Sequence, residues 1–214
     1  MKSDSHFPWS SFGTAARAVR ETSWGRAASF RKWSEREWAM PAPKAVKRAV
    51  LSRYGHLSGT WVETGTYYGD TTAFLAKTGQ HVFSIEPSPE LARIAVERFK
   101  GFHNVTILEG LSENRLPQLL GEISGPVSFW LDGHFSAGVT FQGPRDTPIR
   151  EELAAIEAHL SRLGTAVILV DDVRCFEPSN PDFLGYPSRG WLVGWAERNS
   201  LVWTIEHDIF VAWN

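Results

Sequence analysis

Residues 61–72 read WVETGTYYGDTT, and this stretch decides the fold. It opens with β-branched and aromatic residues, as a short buried strand does. Gly65 and Gly69 follow, and because neither has a Cβ, the backbone there can turn tightly and approach a ligand closely. Residues 70–72 are of types that cap helices, and apolar residues continue beyond them. A strand, a glycine turn and a helix N-terminus together predict a ligand-binding loop.

A second apolar strand follows this loop and ends in an acid. Residues 81–85 form the predicted strand, and Glu86 stands 21 residues after Gly65. An acid about 20 residues after a glycine turn is placed to accept hydrogen bonds from ribose hydroxyls. A dinucleotide-binding motif would also need glycines where this sequence has Tyr67 and Asp70. The pattern therefore predicts a ligand with a ribose but no phosphate at the turn, which disfavours a nicotinamide-dependent oxidoreductase.

The run from Glu63 to Gly69, followed by Ile85 and Glu86, resembles the S-adenosylmethionine site of class I methyltransferases. The middle glycine of that family's E-x-G-x-G-x-G motif is Tyr67 here. The resemblance extends from residue 59 to the end of the sequence. It implies a Rossmann-like α/β fold, a seven-stranded, mostly parallel sheet with a terminal antiparallel hairpin, and S-adenosylmethionine as cofactor. The alternative is a structural strand–turn–helix unit followed by an unrelated acid.

The resemblance also implies a set of cofactor-binding residues at the ends of the predicted strands. They are Glu63, Gly65, Thr66, Tyr67, Gly69, Asp70, Thr71, Glu86, Gly110, Ser112 and Asp132. Ser112 stands where the family places its adenine contacts. It also opens a predicted helix, so a role as the helix N-cap is a second interpretation.

From residue 59 onward, predicted strands and helices alternate, which is typical of a parallel sheet with helices on both faces. The strands fall near 60–64, 81–85, 104–108, 126–131 and 165–170, and the helices near 70–78, 88–100, 113–121 and 147–163. Two apolar runs near 201–205 and 209–213 predict a terminal hairpin. Residues 173–190 are predicted to be a long loop, in which Phe176, Phe183 and Tyr186 could form an apolar wall for an acceptor.

The first 58 residues are predicted to be a helical, basic, Trp-rich extension of a methyltransferase-like domain at 59–214. Residues 1–53 hold 11 of the 22 Lys and Arg residues but only 4 of the 24 Asp and Glu residues. Residues 44–54 form its clearest helix, which Gly55 ends. We expect this segment to pack on the acidic body or to mediate a homodimer. Basic, aromatic segments can bind nucleic acid, but no binding motif accompanies this one, so no nucleic-acid partner is expected.

Three aspartates follow predicted neighbouring strands. Asp132 follows the fourth strand, and Asp171 and Asp172 follow the fifth. Because the carboxyl ends of parallel strands meet at one edge, these carboxylates should converge and repel unless a cation neutralises them. The arrangement resembles metal-dependent O-methyltransferases of sugar-bearing natural products, which implies Mg²⁺ held by all three. The alternative is that Asp171 or Asp172 caps the following loop.

His134 lies two residues after Asp132 in a glycine-flanked loop, and a general base with a pKa near neutrality is the role predicted for it. Asp132 is the second predicted catalytic residue. Glu151 and Glu152 fall in the first turn of the next helix, where they favour its dipole, and one of them could face the site.

These patterns predict an S-adenosylmethionine-dependent methyltransferase that methylates a hydroxyl of a small-molecule acceptor with divalent-metal assistance. A non-catalytic nucleoside-binding or scaffold protein of the same fold is the alternative. One cysteine and the lack of a long apolar run predict a soluble, cytoplasmic protein with no transmembrane segment.

Overall fold

The computed structural model describes residues 22–56, 59–133, 147–181, 183 and 185–214. The strands are Thr60–Thr64 (β1), His81–Glu86 (β2), Val105–Glu109 (β3), Val127–Leu131 (β4), Ala166–Val170 (β5), Val202–Glu206 (β6) and Ile209–Trp213 (β7). They form one sheet in the order β3-β2-β1-β4-β5-β7-β6. β1 to β5 are parallel, and β7 is antiparallel to both β5 and β6. The predicted seven-stranded sheet with a terminal antiparallel hairpin is confirmed.

Eight α-helices lie in the described parts of the chain. They are Ser23–Glu35 (α1), Lys44–Tyr54 (α2), Asp70–Leu75 (α3), Pro89–Phe99 (α4), Ser112–Glu122 (α5), Ile149–Glu157 (α6), Leu160–Leu163 (α7) and Arg189–Arg198 (α8). None of them combines the length and the hydropathy that a membrane crossing requires.

The sheet has an apolar core on each face, because successive residues of a strand point to opposite sides. On one face, Val62 and Phe129 pack with helices α5, α6 and α8. On the other face, Trp61 and Trp130 pack with Leu75 of α3 and with α2. The central strands β1, β4 and β5 are buried on both faces, so they are largely apolar, as parallel strands are in covered sheets.

Helix α2 is part of this second core. Its Val50 and Leu51 are each 1% exposed and pack in the cluster that contains Trp61 and Trp130. Helix α1 is more peripheral, and Trp33 is its buried residue. The division of the chain at residue 58 remains a prediction, but α2 covers the sheet as the helices after β1 do.

Two predicted features differ from the structure. Helix α8 lies in a region for which the sequence analysis predicted no helix. It is poorly marked because Gly190 and Gly194 lower helix propensity, although Ser188 caps its start by accepting a hydrogen bond from the backbone N–H of Trp191. The helix predicted over 147–163 is instead two helices, α6 and α7, separated at Ala158 and His159.

The packing of α2 gives a stability prediction. Leu51→Ala should lower the free energy of unfolding by about 2–5 kcal/mol, because it removes buried methyl groups and leaves a cavity. Urea denaturation measures this change. Val96→Ala, at a position that is 50% exposed on α4, is the control and should change stability by less than about 0.5 kcal/mol. Equal small losses for both variants would show that α2 is not part of the core.

Candidate cofactor and acceptor site

The predicted site residues follow the carboxyl ends of the parallel strands, at one edge of the sheet. β1 lies between β2 and β4: the chain runs from β1 to β2 and β3 on one side, and then crosses back to β4 and β5 on the other side. Open α/β sheets bind ligands at such a switch point. The Gly65 backbone N–H donates to Ile85 O at 2.9 Å, and the Asp132 N–H donates to Thr64 O at 3.2 Å. The turn after β1 is therefore held by both neighbouring strands.

Gly65 could not be replaced by a larger residue in this turn. Its φ is +85°, and a Cβ on it would lie 2.6 Å from the carbonyl oxygen of Asp132. The left-handed conformation and the close approach both favour glycine. The turn thus stays open toward the edge of the sheet while its other side packs against the end of β4.

Glu63 is fully buried beneath this turn, at 0% exposure. Its Oε2 accepts hydrogen bonds from the Thr72 hydroxyl at 2.5 Å and the Ser84 hydroxyl at 2.6 Å. Its Oε1 is buried and has no hydrogen-bond partner among the described residues. Burial raises the pKa of Glu63 to about 8. A buried carboxylate oxygen without a donor is costly, so Glu63 fits a ligand that brings a donor to this position.

Glu86 ends β2 and joins three strand ends. Its Oε2 accepts a hydrogen bond from the Tyr67 N–H at 2.7 Å, and its Oε1 accepts one from the Ser88 N–H at 3.0 Å. The Gly110 N–H donates to the backbone oxygen of Glu86 at 2.9 Å. Burial raises the pKa of Glu86. Each carboxylate oxygen can accept a second hydrogen bond, so the two oxygens of Glu86 could still accept hydrogen bonds from two ribose hydroxyls.

Tyr67 takes the conformation of the glycine that it replaces. Its φ is 51°, in the left-handed region that bulky residues rarely occupy. The N–H bond to Glu86 holds it there, and its ring, 48% exposed, lies edge-on to Tyr68 with centroids 4.3 Å apart. The motif therefore keeps its backbone path despite the substitution. Thr66, behind it, is buried, and its hydroxyl lies 2.6 Å from that of Ser84.

The capping role predicted for Asp70 is wrong. Gly69, with φ 77°, is the N-cap of α3, and no side chain caps the helix. The Asp70 carboxylate forms ion pairs with Lys44 at 2.9 Å and Arg98 at 3.0 Å. Thr71 lies beside it in the first turn of α3, partly buried. Asp70 thus ties the start of α3 to α2 and α4.

Asp132, Asp171 and Asp172 converge at the ends of β4 and β5. One carboxylate oxygen from each lies within 4.8 Å of the others. The Lys47 ammonium donates to Asp171 Oδ2 and, at 3.0 Å, to Asp172 Oδ1. Arg174 Nη1 donates to Asp172 Oδ1 at 2.6 Å and also to Asp208. Although burial lowers the pKa of Lys47, Asp171 and Asp172 raise it above its ordinary value, so the ammonium stays charged.

These contacts bear on the metal expected at the cluster. Three carboxylates are suitable donors for Mg²⁺, which binds oxygen ligands. The described contacts instead give Asp171 and Asp172 two protein cations, Lys47 and Arg174, and the Asp171 Oδ1 accepts the Asp172 N–H at 2.8 Å. With Lys47 in place the cluster does not fit a divalent ion, and the structure does not support Mg²⁺ there.

Comparison with solved structures identifies the fold. An O-methyltransferase from Bacillus cereus in complex with SAH matches with a TM-score of 0.54 and 16% identity, over 94% of this chain and 96% of that one. A candidate rRNA-methylase from Clostridium thermocellum matches with a TM-score of 0.52 and 13% identity, over 82% and 97%. The chain has the class I methyltransferase fold. No protein-family model matches its sequence, and no curated protein is similar to it in sequence.

In this methyltransferase fold, the side chains of Ser112 and Glu152 meet near the end of β4. Ser112 is 7% exposed and is the first residue of α5; the N-cap is Leu111, so the N-cap interpretation of Ser112 is wrong. Glu152 of α6 is 1% exposed, and its Oε1 has no hydrogen-bond partner in the described parts of the chain. A Cβ added to Gly133 would lie 3.3 Å from this oxygen. Burial raises the pKa of Glu152 to about 7, although Ser112 opposes the shift.

Among the residues near this site, Glu152 is the one that the sequence predicted most weakly. Two adjacent acids in a first helical turn usually reflect the helix dipole, and the sequence does not show which of them is buried. The apolar pattern of α6 carries a weak signal, because Glu152 lies beside the buried Leu153, one turn before Ile156.

The predicted acceptor wall is more enclosed than expected. Phe176 is 2% and Tyr186 is 8% exposed, and their rings meet edge-on at 5.1 Å. Both belong to the core on the α6 side of the sheet, and Phe183 packs against it. His134, the predicted general base, lies outside the described residues, as does the loop that follows it.

The buried carboxyl of Glu63 predicts how stability depends on pH. Its pKa is about 8 in the folded protein against an ordinary value of 4.5, so the folded state holds this proton more tightly than the unfolded chain. Stability should therefore fall as the pH rises through this window, because the unfolded chain ionises first. In Glu63→Gln, which cannot ionise, the melting temperature should fall less between about pH 5 and pH 8.

Differential scanning fluorimetry of the ligand-free protein measures this difference. Glu157→Gln, at an exposed position of α6, is the matched control and should follow the wild type. Parallel melting curves for wild type and Glu63→Gln across the window would contradict the raised pKa.

Proposed function

We propose that the protein is an S-adenosylmethionine-dependent methyltransferase that acts on a hydroxyl group of a small molecule. The observation that carries this proposal is the pair of buried carboxyls at the ends of β1 and β2. Glu63 has a buried oxygen without a donor among the described residues, and Glu86 holds the turn at Tyr67 while keeping capacity for more hydrogen bonds. The O-methyltransferase from Bacillus cereus, a structure in complex with SAH, has the same fold.

The two carboxyl groups would bind different parts of the cofactor. Glu86 would receive the ribose hydroxyls, since it ends β2 at the switch point. Glu63 lies under the Gly65 turn and would accept a hydrogen bond from an ammonium group. Ser112 and the Gly110 backbone would lie along the nucleoside, because the Gly110 N–H is bonded to Glu86. When bound, S-adenosylmethionine supplies an electrophilic methyl group on a sulfonium.

The chain's own task is to orient the acceptor oxygen and remove its proton, because methyl transfer depends mainly on alignment. Asp132 is suited to this role. Its backbone is held by Thr64 at the end of β1, and its carboxylate is partly exposed at the sheet edge. We assign Asp132 as the group that accepts the hydroxyl proton, with His134 as the second candidate base.

The charge at this edge supports a small acceptor over RNA. Asp132, Asp171 and Asp172 lie together beside the proposed methyl position. Nucleic-acid binding depends on cations that neutralise phosphates. Lys47 and Arg174, the cations described beside this cluster, are already paired with its carboxylates. The candidate rRNA-methylase has the same fold, but fold alone does not determine the acceptor.

Calorimetric titration tests the cofactor. S-adenosylhomocysteine should bind and NAD should not. Glu86→Ala should weaken S-adenosylhomocysteine binding by about 1–3 kcal/mol, because hydrogen bonds to a buried carboxylate are lost. Glu157→Ala, an exposed glutamate of α6, should bind as the wild type does. If the wild type shows no binding of S-adenosylhomocysteine, the proposal is refuted. If Glu86→Ala binds it with the same affinity as the wild type, Glu86 is not a cofactor-binding residue.

The same titration separates a methyltransferase from a non-catalytic nucleoside-binding protein when it is combined with turnover. Asp132→Asn keeps a hydrogen-bonding side chain at this predicted cofactor contact, so it should still bind S-adenosylhomocysteine. It should lose transfer to a hydroxyl acceptor by about 100-fold or more, the usual range for a lost general base. A screen of sugar and natural-product hydroxyls with radiolabelled S-adenosylmethionine supplies the acceptor. If the wild type binds the cofactor but transfers a methyl group to none of the acceptors, the non-catalytic alternative is favoured.

A further inference from the structure

Lys47 reaches the acidic cluster from a helix that is far from it in sequence. It lies 124 residues before Asp171, in α2, and its ammonium contacts both Asp171 and Asp172. Its side chain is 18% exposed, whereas the Asp171 and Asp172 side chains are 2% and 7% exposed. One turn further along the same helix, Val50 and Leu51 are anchored in the core. The ammonium therefore belongs to a helix that packs in the core, and it is not an exposed surface group.

The contacts of Lys47 engage the oxygens that a metal ion would need. Asp171 Oδ2 accepts from Lys47, and Asp171 Oδ1 accepts from the Asp172 N–H at 2.8 Å. Asp172 Oδ1 accepts from both Lys47 at 3.0 Å and Arg174 at 2.6 Å. A divalent ion at these atoms would have to displace the ammonium, since two cations in contact repel strongly in a buried site.

We propose that Lys47 is the resident cation of the Asp132–Asp171–Asp172 cluster, and that it takes the place of a divalent metal there. A Lys ammonium is a compact point charge with three donors, so it can neutralise two carboxylates and keep a donor for a third group. It keeps Asp171 and Asp172 paired beside Asp132. Lys47 is thus a positioning residue for the acceptor side of the site.

This inference deepens the proposed function and has one part that rests on it. Metal-free methyl transfer requires that the protein is a methyltransferase. The exclusion of metal ions by Lys47 does not, and it can be measured on the protein without cofactor or acceptor.

Three variants test the exclusion of metal. Lys47→Met removes the charge but keeps a long side chain, and Lys47→Arg keeps the charge. Lys100→Met makes the same change at a lysine whose side chain is 76% exposed and which pairs with Glu97 at 3.7 Å. Each protein is treated with EDTA, desalted and titrated with MnCl₂, with free Mn²⁺ followed by electron paramagnetic resonance. Thermal melting with and without MnCl₂ is the second readout.

The wild type, Lys47→Arg and Lys100→Met should show neither stoichiometric Mn²⁺ binding nor a Mn²⁺-dependent rise in melting temperature. Lys47→Met should bind Mn²⁺ at least about tenfold more tightly than the wild type, because one unit charge no longer opposes the ion. Its melting temperature should rise with MnCl₂ by mass action, and Asp172→Asn in the Lys47→Met background should remove the rise. A merely structural role of Lys47 would lower stability without producing this metal response.

Two results of the Mn²⁺ measurements would overturn the inference. One is stoichiometric Mn²⁺ binding by the wild type that Asp172→Asn abolishes, because Lys47 would then not exclude the ion. The other is a folded Lys47→Met protein that binds no more Mn²⁺ than the wild type. If Lys47→Met does not fold, the wild type and Lys47→Arg still decide the question, because both must exclude Mn²⁺.

Activity completes the test. Wild-type transfer should be unchanged by EDTA, and a chelator-sensitive wild type would overturn the inference while leaving the proposed function intact. Failure to bind S-adenosylhomocysteine would instead refute the proposed function, and the Mn²⁺ measurements would remain valid by themselves.

Discussion

Burial of carboxyl groups at the carboxyl edge of a parallel sheet is the constraint on which this structure depends. Five such groups, those of Glu63, Glu86, Glu152, Asp171 and Asp172, are at most 5% exposed. A carboxylate removed from water must be hydrogen-bonded, paired with a cation, or neutralised by a proton. The fold uses all three solutions, and the solution differs from strand to strand. Where the protein does not supply all the hydrogen-bond donors that a buried carboxyl group needs, a ligand can supply the missing ones.

At the ends of β1 and β2, the buried carboxyl groups are hydrogen-bonded and can accept further hydrogen bonds. Glu86 receives two backbone N–H groups, and the one from Tyr67 fixes the Gly65 to Gly69 turn against β2. Glu63 accepts hydrogen bonds on one oxygen only among the described residues, and burial raises its pKa. Partial satisfaction of buried polar groups is costly in a structural sheet and useful in a binding site. This contrast supports a cofactor at the β1–β2 side of the edge.

At the end of β5, the buried carboxyl groups are paired with cations. Lys47 and Arg174 together pair with Asp171, Asp172 and Asp208, which joins α2, the segment after β5 and the β6–β7 turn. Because α2 also covers the core around Trp61 and Trp130, one helix contributes both packing and charge. The proposed acceptor side of the site is therefore coupled to the stability of the sheet, whereas the proposed cofactor side depends on the loops that follow β1 and β2.

By itself the sequence determined the succession of the seven strands, because the strands are apolar runs and the ends of the parallel ones carry Gly, Glu and Asp. The spacing from Gly65 to Glu86 was enough to predict the turn and the acid that supports it, since both lie in one βαβ unit. Helix α8 escaped prediction because Gly190 and Gly194 weaken its local signal, and packing of Leu192 and Trp195 stabilises it instead. Only the tertiary structure decided the partners of the aspartates: Lys47 lies 124 residues from Asp171, and no local pattern records a contact that depends on how α2 packs across the sheet.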